Sequence, residues 1–231
     1  MSARLVVVTG GAGGIGRAVA ARFEADGDHV LAPGRAECDV TDEASVKRFF
    51  ERAGDVDVLV NNAGMAETAP LERTTLADWR AHLDVNATGA FLCTRAVIGA
   101  MRSRGSGAIV TVASTAGRVG ARYTAAYTAS KHAAVGLMRA AAAELAGSGA
   151  TANAVCPAFV DSPMTDRSVA NIVARTDRDE GAARAALAAA SPLGRLLAPD
   201  EVAGAVAWLA SPAAAAINGQ TLVLDGGGIQ A

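Results

Sequence analysis

The sequence predicts an α/β fold in which a doubly wound parallel sheet carries helices on both faces. Short apolar runs alternate with helix-forming spacers along the chain, as they must where parallel strands are joined by crossovers. The first run enters a glycine-rich turn that opens a helix. A chain of 231 residues, 51% hydrophobic, can bury such a core as one unit. No linker composition divides it, so residues 1–231 are expected to form a single domain.

Residues 5–8 (Leu-Val-Val-Val) read as a buried strand, followed by Thr9-Gly10-Gly11-Ala12-Gly13-Gly14-Ile15-Gly16 and a helix over 17–25. Glycines allow the tight turn and let a pyrophosphate approach the backbone, while free amides at the helix start attract its charge. Two spacings coincide there, Gly11-x-Gly13-x-x-Gly16 and Gly10-x-x-x-Gly14-x-Gly16. Arg17-Ala18 follows where a nucleoside-triphosphate loop would place a lysine and a hydroxyl residue, which disfavours that reading. A second strand at 29–32 is separated from Asp39-Val40 by only Pro33-Gly34-Arg35-Ala36-Glu37-Cys38, so the crossover helix is expected to be reduced to a loop. A third strand at 56–60 runs into Asn61-Asn62-Ala63-Gly64, placing amides and a glycine at the carboxyl edge of the sheet, where ligands bind. Asn86 is an amide inside an otherwise apolar helical stretch, strands are expected at 108–112, 152–155 and 221–224, and helix formers fill 125–145. Residues 163–192 lack strand-like alternation; their arginines, Arg167, Arg175, Arg178 and Arg184, are interleaved with acids, the pattern of helix-surface pairing.

The segment from Ser114 to Lys131 holds a hydroxyl, a phenol and an ammonium that one substrate carbonyl could meet together. Tyr127 and Lys131 stand four residues apart in a helical run and so share a face. A phenol that donates and recovers a proton near neutrality needs its pKa, about 10 when free, lowered by a nearby cation. Lys131 is placed for this, and only two lysines occur among the 21 basic residues. The set points to reduction of ketones or oxidation of alcohols.

Together these motifs resemble the short-chain dehydrogenase/reductase family, in its single-domain branch, from Val6 to about Gly228. The resemblance implies a Rossmann-type sheet of about seven strands and an NAD(P)(H)-dependent oxidoreductase interconverting a ketone and a secondary alcohol. It places the catalytic tetrad on Asn86, Ser114, Tyr127 and Lys131. Cofactor contacts are implied for Gly10, Gly14, Ile15 and Gly16, for Asn62, Ala63 and Gly64, for Asp39 and Val40 at the adenine, and for Pro157, Val160 and Ser162 beside the nicotinamide. Tyr127 and Lys131 would also touch the cofactor, Lys131 at the ribose, and the Asn86 region would anchor a water that relays protons. Two departures appear: Ala158 replaces the usual glycine after the proline, and Ser162 the usual threonine. Gly34 stands where NAD-specific members carry aspartate, and Arg35 follows it. NADP(H) is therefore favoured, with NAD(H) left possible because Glu37 could bind a ribose.

The tail motifs Pro192-Leu-Gly-Arg195, Pro199-Asp-Glu-Val202 and 218–227 are similar to those of 3-oxoacyl-thioester reductases, with residues 163–192 as the substrate lid. The expected activity is reduction of 3-oxoacyl thioesters or related ketones. The alternatives are an NAD-dependent dehydrogenase of a hydroxy acid, cyclic alcohol or sterol, and a dinucleotide-binding sensor or scaffold. The intact Ser114, Tyr127 and Lys131 set argues against the last. An enoyl reductase would space its tyrosine and lysine more widely, and Tyr123 does not supply that pattern. The resemblance further implies a homotetramer, or homodimer, packed through the helices bearing Asn86 and Tyr127.

A net charge of −2 without a basic run leaves no footprint for nucleic acid. Four apolar residues before the glycines are too few for a signal or membrane segment, so no membrane partner and a cytoplasmic location are expected. Cys38, Cys93 and Cys156 are widely spaced and are expected to be reduced and mostly buried; neither they nor His29, His82 and His132 have metal-ligand spacing, so no metal is expected. His132 should point away from Lys131.

Overall fold

The computed structural model describes residues 3–230. Strands β1 (Leu5–Val8), β2 (His29–Leu31), β3 (Val58–Asn61), β4 (Gly107–Val112), β5 (Ala150–Pro157) and β6 (Thr221–Leu224) form one sheet in the order β2-β1-β3-β4-β5-β6, every pairing parallel. The winding reverses between β1 and β3, and in open α/β sheets that switch point opens the ligand crevice beyond the strand carboxyl ends.

Because successive strand residues face opposite sides, each strand feeds two cores. Val6, Val8, Val58, Val60 and Val110 pack with α1 (Gly14–Ala25) and α8 (Pro199–Leu209), through Phe23, Val202 and Val206. Val7, Leu59, Ile109 and Ala152 face the other way, against α2 (Glu43–Ala53), α4 (Gly89–Arg104) and α5 (Ala125–Leu145). Between β3 and α4 lies the short α3 (Leu76–Leu83), and α6 (Pro163–Val173) and α7 (Glu180–Ala188) occupy the segment expected to be the lid. Among the described residues no helix is long and apolar enough to cross a membrane.

The sheet of about seven strands implied by the resemblance has six among the described residues, and the short crossover is the reason. Residues 33–42 form neither helix nor strand, since six residues cannot supply a helix and return the chain to the sheet. Cys38 and Val40 are instead pressed against α4, so closely that a Cβ on Gly89 would stand 2.7 Å from Val40 Cγ2. β2 is thereby left as the sheet edge. β5 begins two residues earlier than its apolar pattern indicates, because Thr151 and Asn153 are buried polar residues within it. Asn153 is satisfied there: it donates to Ile217 O at 2.8 Å and accepts from Gln220 N at 3.0 Å.

Candidate active site

The glycine turn leaves β1 and is fastened to the end of β3. Thr9 Oγ1 accepts from the amides of Asn62 and Ala63, both at 3.1 Å, and Asn62 Nδ2 donates to Thr9 O at 2.9 Å and Gly10 O at 3.1 Å. Gly10 adopts φ 64°, in the left-handed region, and a Cβ on Gly16 would stand 2.5 Å from Gly10 O, so neither position accepts a side chain. Ile15 turns into the α1 core. The start of α1, capped by Gly13, has no side-chain cap and no acidic residue in its first turn. The start of α6 at Ser162 also lacks a side-chain cap, and a Cβ on Gly14 would lie 3.4 Å from Ser162 Cβ. By contrast, Asp42, Thr75 and Asp179 cap α2, α3 and α7. Free amides at two neighbouring helix starts and a glycine-lined approach fit a dinucleotide pyrophosphate.

On the adenosine side Arg35 is exposed, and its Nε donates to Asp39 Oδ2 at 3.0 Å. Hydrogen bonds from Thr41, and then from Arg35, hold the Asp39 carboxyl below its ordinary range. Glu37 folds back to accept from Gly34 N at 2.9 Å. Val40 is buried against Gly89. At the other end of the crevice Pro157 closes β5, and Val160 forms a parallel bridge with Leu197 before α6 begins.

Asn86 sits in a π-helical turn, Asp84–Thr88, inserted between α3 and α4, a geometry frequent at functional sites. Its Oδ1 accepts from Met65 N at 2.9 Å, and its Nδ2 donates to Met65 O at 3.0 Å and to Ser130 Oγ at 2.9 Å. Ser130 in turn donates to Tyr127 O at 2.8 Å. A Cβ on Gly64 would lie 3.2 Å from Asn86 Oδ1 and 3.5 Å from Lys131 Nζ, which brings β3, the π turn and α5 to one point. Lys131 Nζ donates to Val112 O at 2.9 Å and stands 5.9 Å from the Tyr127 ring centroid. Ser114, at the end of β4, stands close enough to the Tyr127 phenol to lower its pKa. The four residues expected to form the tetrad thus gather at the carboxyl edge of the sheet.

Electrostatics correct one expectation. Lys131 is only 5% exposed, and burial lowers its ammonium to about 8. Tyr127, expected to be lowered by Lys131, is instead raised: burial of the phenol outweighs the lowering effect of Ser114. The ammonium lies over the ring and is committed to Val112 O. What results is a buried lysine whose proton exchanges near neutral pH beside a protonated phenol.

A cavity of about 780 Å³ is lined among others by Glu67, Thr68, Arg73, His82, Tyr123 and Arg175, and the His82 ring connects it to the ring of Tyr127. Tyr123 has φ 67°, rare outside glycine, and its carbonyl accepts from Ala69 N at 2.9 Å. Arg175, read as a surface-pairing residue, donates to Thr68 O at 2.9 Å, whereas Arg184 pairs with Asp161 and Asp166 as expected. Sequence reading missed Ser130, His82 and Tyr123 as parts of the site. Ser130 could have been noticed beside Lys131; the other two carry no pattern. All three cysteines are buried and free, and His132 is exposed, away from the buried Lys131.

Residues 32–228 match the family model described as enoyl-(acyl carrier protein) reductase. Cis-4-hydroxycyclohexanecarboxylate dehydrogenase of Sinomonas cyclohexanicum is 39% identical, the alignment covering 97% of this chain and 96% of the relative. A 3-oxoacyl-[acyl-carrier-protein] reductase of Synechocystis is 35% identical over 98% of this chain and 97% of its own length. Among solved structures, a variant of actinorhodin polyketide ketoreductase with NADPH superposes with a TM-score of 0.88 at 33% identity, covering 97% of each chain. The chain belongs to the short-chain dehydrogenase/reductase family, oxidoreductases that interconvert CH–OH and C=O with NAD(P).

Proposed function

We propose that this enzyme is an NADPH-dependent reductase of 3-oxoacyl thioesters, on acyl carrier protein or coenzyme A, or of closely related ketones. The observation that carries the reaction is the meeting of Asn86, Ser114, Tyr127 and Lys131 beside Gly64, with the His82 ring linking Tyr127 to the 780 Å³ cavity. When bound, the nicotinamide supplies the hydride that reaches the carbonyl carbon. Ser114 and Tyr127 hold the carbonyl oxygen, and Tyr127 delivers the proton. Lys131, at about 8, is poised to return that proton to Tyr127 and to hold the nicotinamide ribose. Asn86, with its amide committed to Met65 and Ser130, keeps the strand end and α5 in register.

The same reading gives the pyrophosphate to Gly10, Gly14, Ile15 and Gly16 with the starts of α1 and α6. It gives the nicotinamide side to Asn62, Ala63, Gly64, Pro157, Val160 and Ser162, and the adenine to Asp39 and Val40. Residues 163–192 form the substrate lid, the enzyme acts in the cytoplasm, and it assembles as a homotetramer, or homodimer, through α4 and α5. Support for the thioester comes from the Synechocystis relative, and for NADPH from the actinorhodin ketoreductase structure. The test is turnover of acetoacetyl-CoA and a panel of ketones, NADPH against NADH. Oxidation of NADPH with the thioester supports the reading; activity confined to NADH and simple cyclic alcohols shifts it to a cyclic-alcohol dehydrogenase, which the Sinomonas relative favours.

Cofactor preference rests on Arg35, which must exchange Asp39 for a 2′-phosphate. Arg35→Ala is expected to raise the KM for NADPH about tenfold, the scale of one exposed charge-assisted hydrogen bond, with the KM for NADH unchanged. Equal effects on both cofactors remove Arg35 from phosphate recognition.

A further inference from the structure

The extended segment 65–69, of which Glu67, Thr68 and Ala69 line the cavity, has no β-partner, yet its amides are satisfied at every second residue. Met65 N donates to Asn86 Oδ1 at 2.9 Å, Glu67 N to His82 Nε2 at 3.0 Å, and Ala69 N to Tyr123 O at 2.9 Å. That is the period of a strand, and two extended residues advance about 6.6 Å. His82 and Asn86 lie one turn apart, about 6 Å along a helix, so their side chains stand in for a neighbouring strand. From the opposite side Asn171 and Arg175 of the lid hold Thr68.

His82 is 1% exposed and takes no part in the chemistry assigned above. Its Nδ1 lies 2.7 Å from Asp78 O, which can only accept, so Nδ1 carries the proton. Its Nε2 faces the Glu67 amide, which can only donate, so Nε2 is bare. The partners therefore demand one neutral tautomer. The same ring meets Tyr127 edge to face, with centroids 6.4 Å apart and planes at 74°. One side chain thus touches both the cavity wall and the phenol ring.

We propose that His82 is a positioning residue: as a neutral acceptor it fixes residues 65–69 against Tyr127 and so sets how a substrate carbonyl is presented to the phenol. This rests on the reading of Tyr127 as the proton donor. The ionisable groups around the ring are Glu67 from the wall, Tyr127 from α5, Asp78 from its own helix, and Arg73 and Arg175 from the cavity lining. A second donor at Nε2 would face the Glu67 amide donor and release the wall.

Two variants separate the functions of the ring. His82→Phe keeps the aromatic contact and removes the acceptor; His82→Gln returns an acceptor near the Nε2 position without the ring. With the ketone that the wild type reduces best, His82→Phe is expected to raise KM about tenfold, the cost of a buried amide left unpaired, with the cofactor dissociation constant within about twofold of wild type. His82→Gln should restore most of that loss. A wild-type KM in His82→Phe, or a KM in His82→Gln no lower than that of His82→Phe, overturns the proposal. If His82→Phe does not fold, His82→Leu, which likewise lacks the acceptor, is read against His82→Gln by the same KM and cofactor measurements. Full turnover by Tyr127→Phe would instead overturn the functional reading itself, whatever the His82 variants do.

Discussion

Tyr127→Phe is expected to lower kcat by about 10²–10⁴-fold, the range for loss of a positioned general acid, while cofactor affinity stays within about twofold. The substitution removes one hydroxyl and keeps the ring, so the edge contact with His82 and the position of Lys131 over the ring should persist. The Ser130 bond runs to the Tyr127 backbone carbonyl and is likewise untouched. Only the phenol's approach to Ser114 is lost, and Ser114 still accepts from Ala116 N at 3.1 Å. Melting temperature and cofactor titration therefore serve as controls for a steady-state measurement of ketone reduction. A kcat within about threefold of wild type would move the proton donor to another group and withdraw the assignment of Tyr127.

The fold was legible where a local pattern has a single tertiary outcome. Leu5–Val8 must be buried on both faces, the glycine turn must follow it, and the helix formers from Ala125 to Leu145 form α5 over the expected residues. The nearness of Tyr127 to Lys131 was equally readable, because residues four apart along a helix share a face. Burial, however, is not written in spacing: the i, i+4 relation puts Lys131 near Tyr127 but does not reveal that desolvation dominates both groups. Nor does residue type reveal side-chain to backbone bonds across the fold. His82 looks like any helical histidine until Glu67, fifteen residues earlier, is seen donating to it. The shortened crossover was visible as a missing length, but its outcome, Val40 packed on Gly89 and β2 left at the edge, depended on contact with α4.

Lys131→Met should stabilise the protein at pH 7 and abolish most of its activity. The folded state holds this ammonium at about 8 against an ordinary 10.5, a difference worth about 3 kcal/mol, caused by burial. Below about pH 8 the lysine is protonated folded and unfolded, so the whole desolvation cost falls on the native state. As pH rises from about 8 to 10.5 the unfolded chain retains a proton that the folded chain has released, and the cost fades; above 10.5 it is gone. Methionine fills similar volume without charge but leaves Val112 O without its 2.9 Å partner, a loss of about 1–3 kcal/mol. Relief of the desolvation cost outweighs the lost hydrogen bond at pH 7, giving a net gain of about 1 kcal/mol and a melting temperature higher by about 2–4 °C. Near pH 10.5 the order should reverse, since only the lost carbonyl bond remains. Turnover should drop by at least about 10²-fold, because the proton that Tyr127 gives away has no nearby source of return. A variant that melts below wild type at pH 7 by the same margin as at pH 10 would show that Lys131 carries no desolvation cost, and turnover within about tenfold would take it out of the proton path. A gain in stability coupled to a loss of catalysis is the signature of a charge retained for chemistry against the preference of the core.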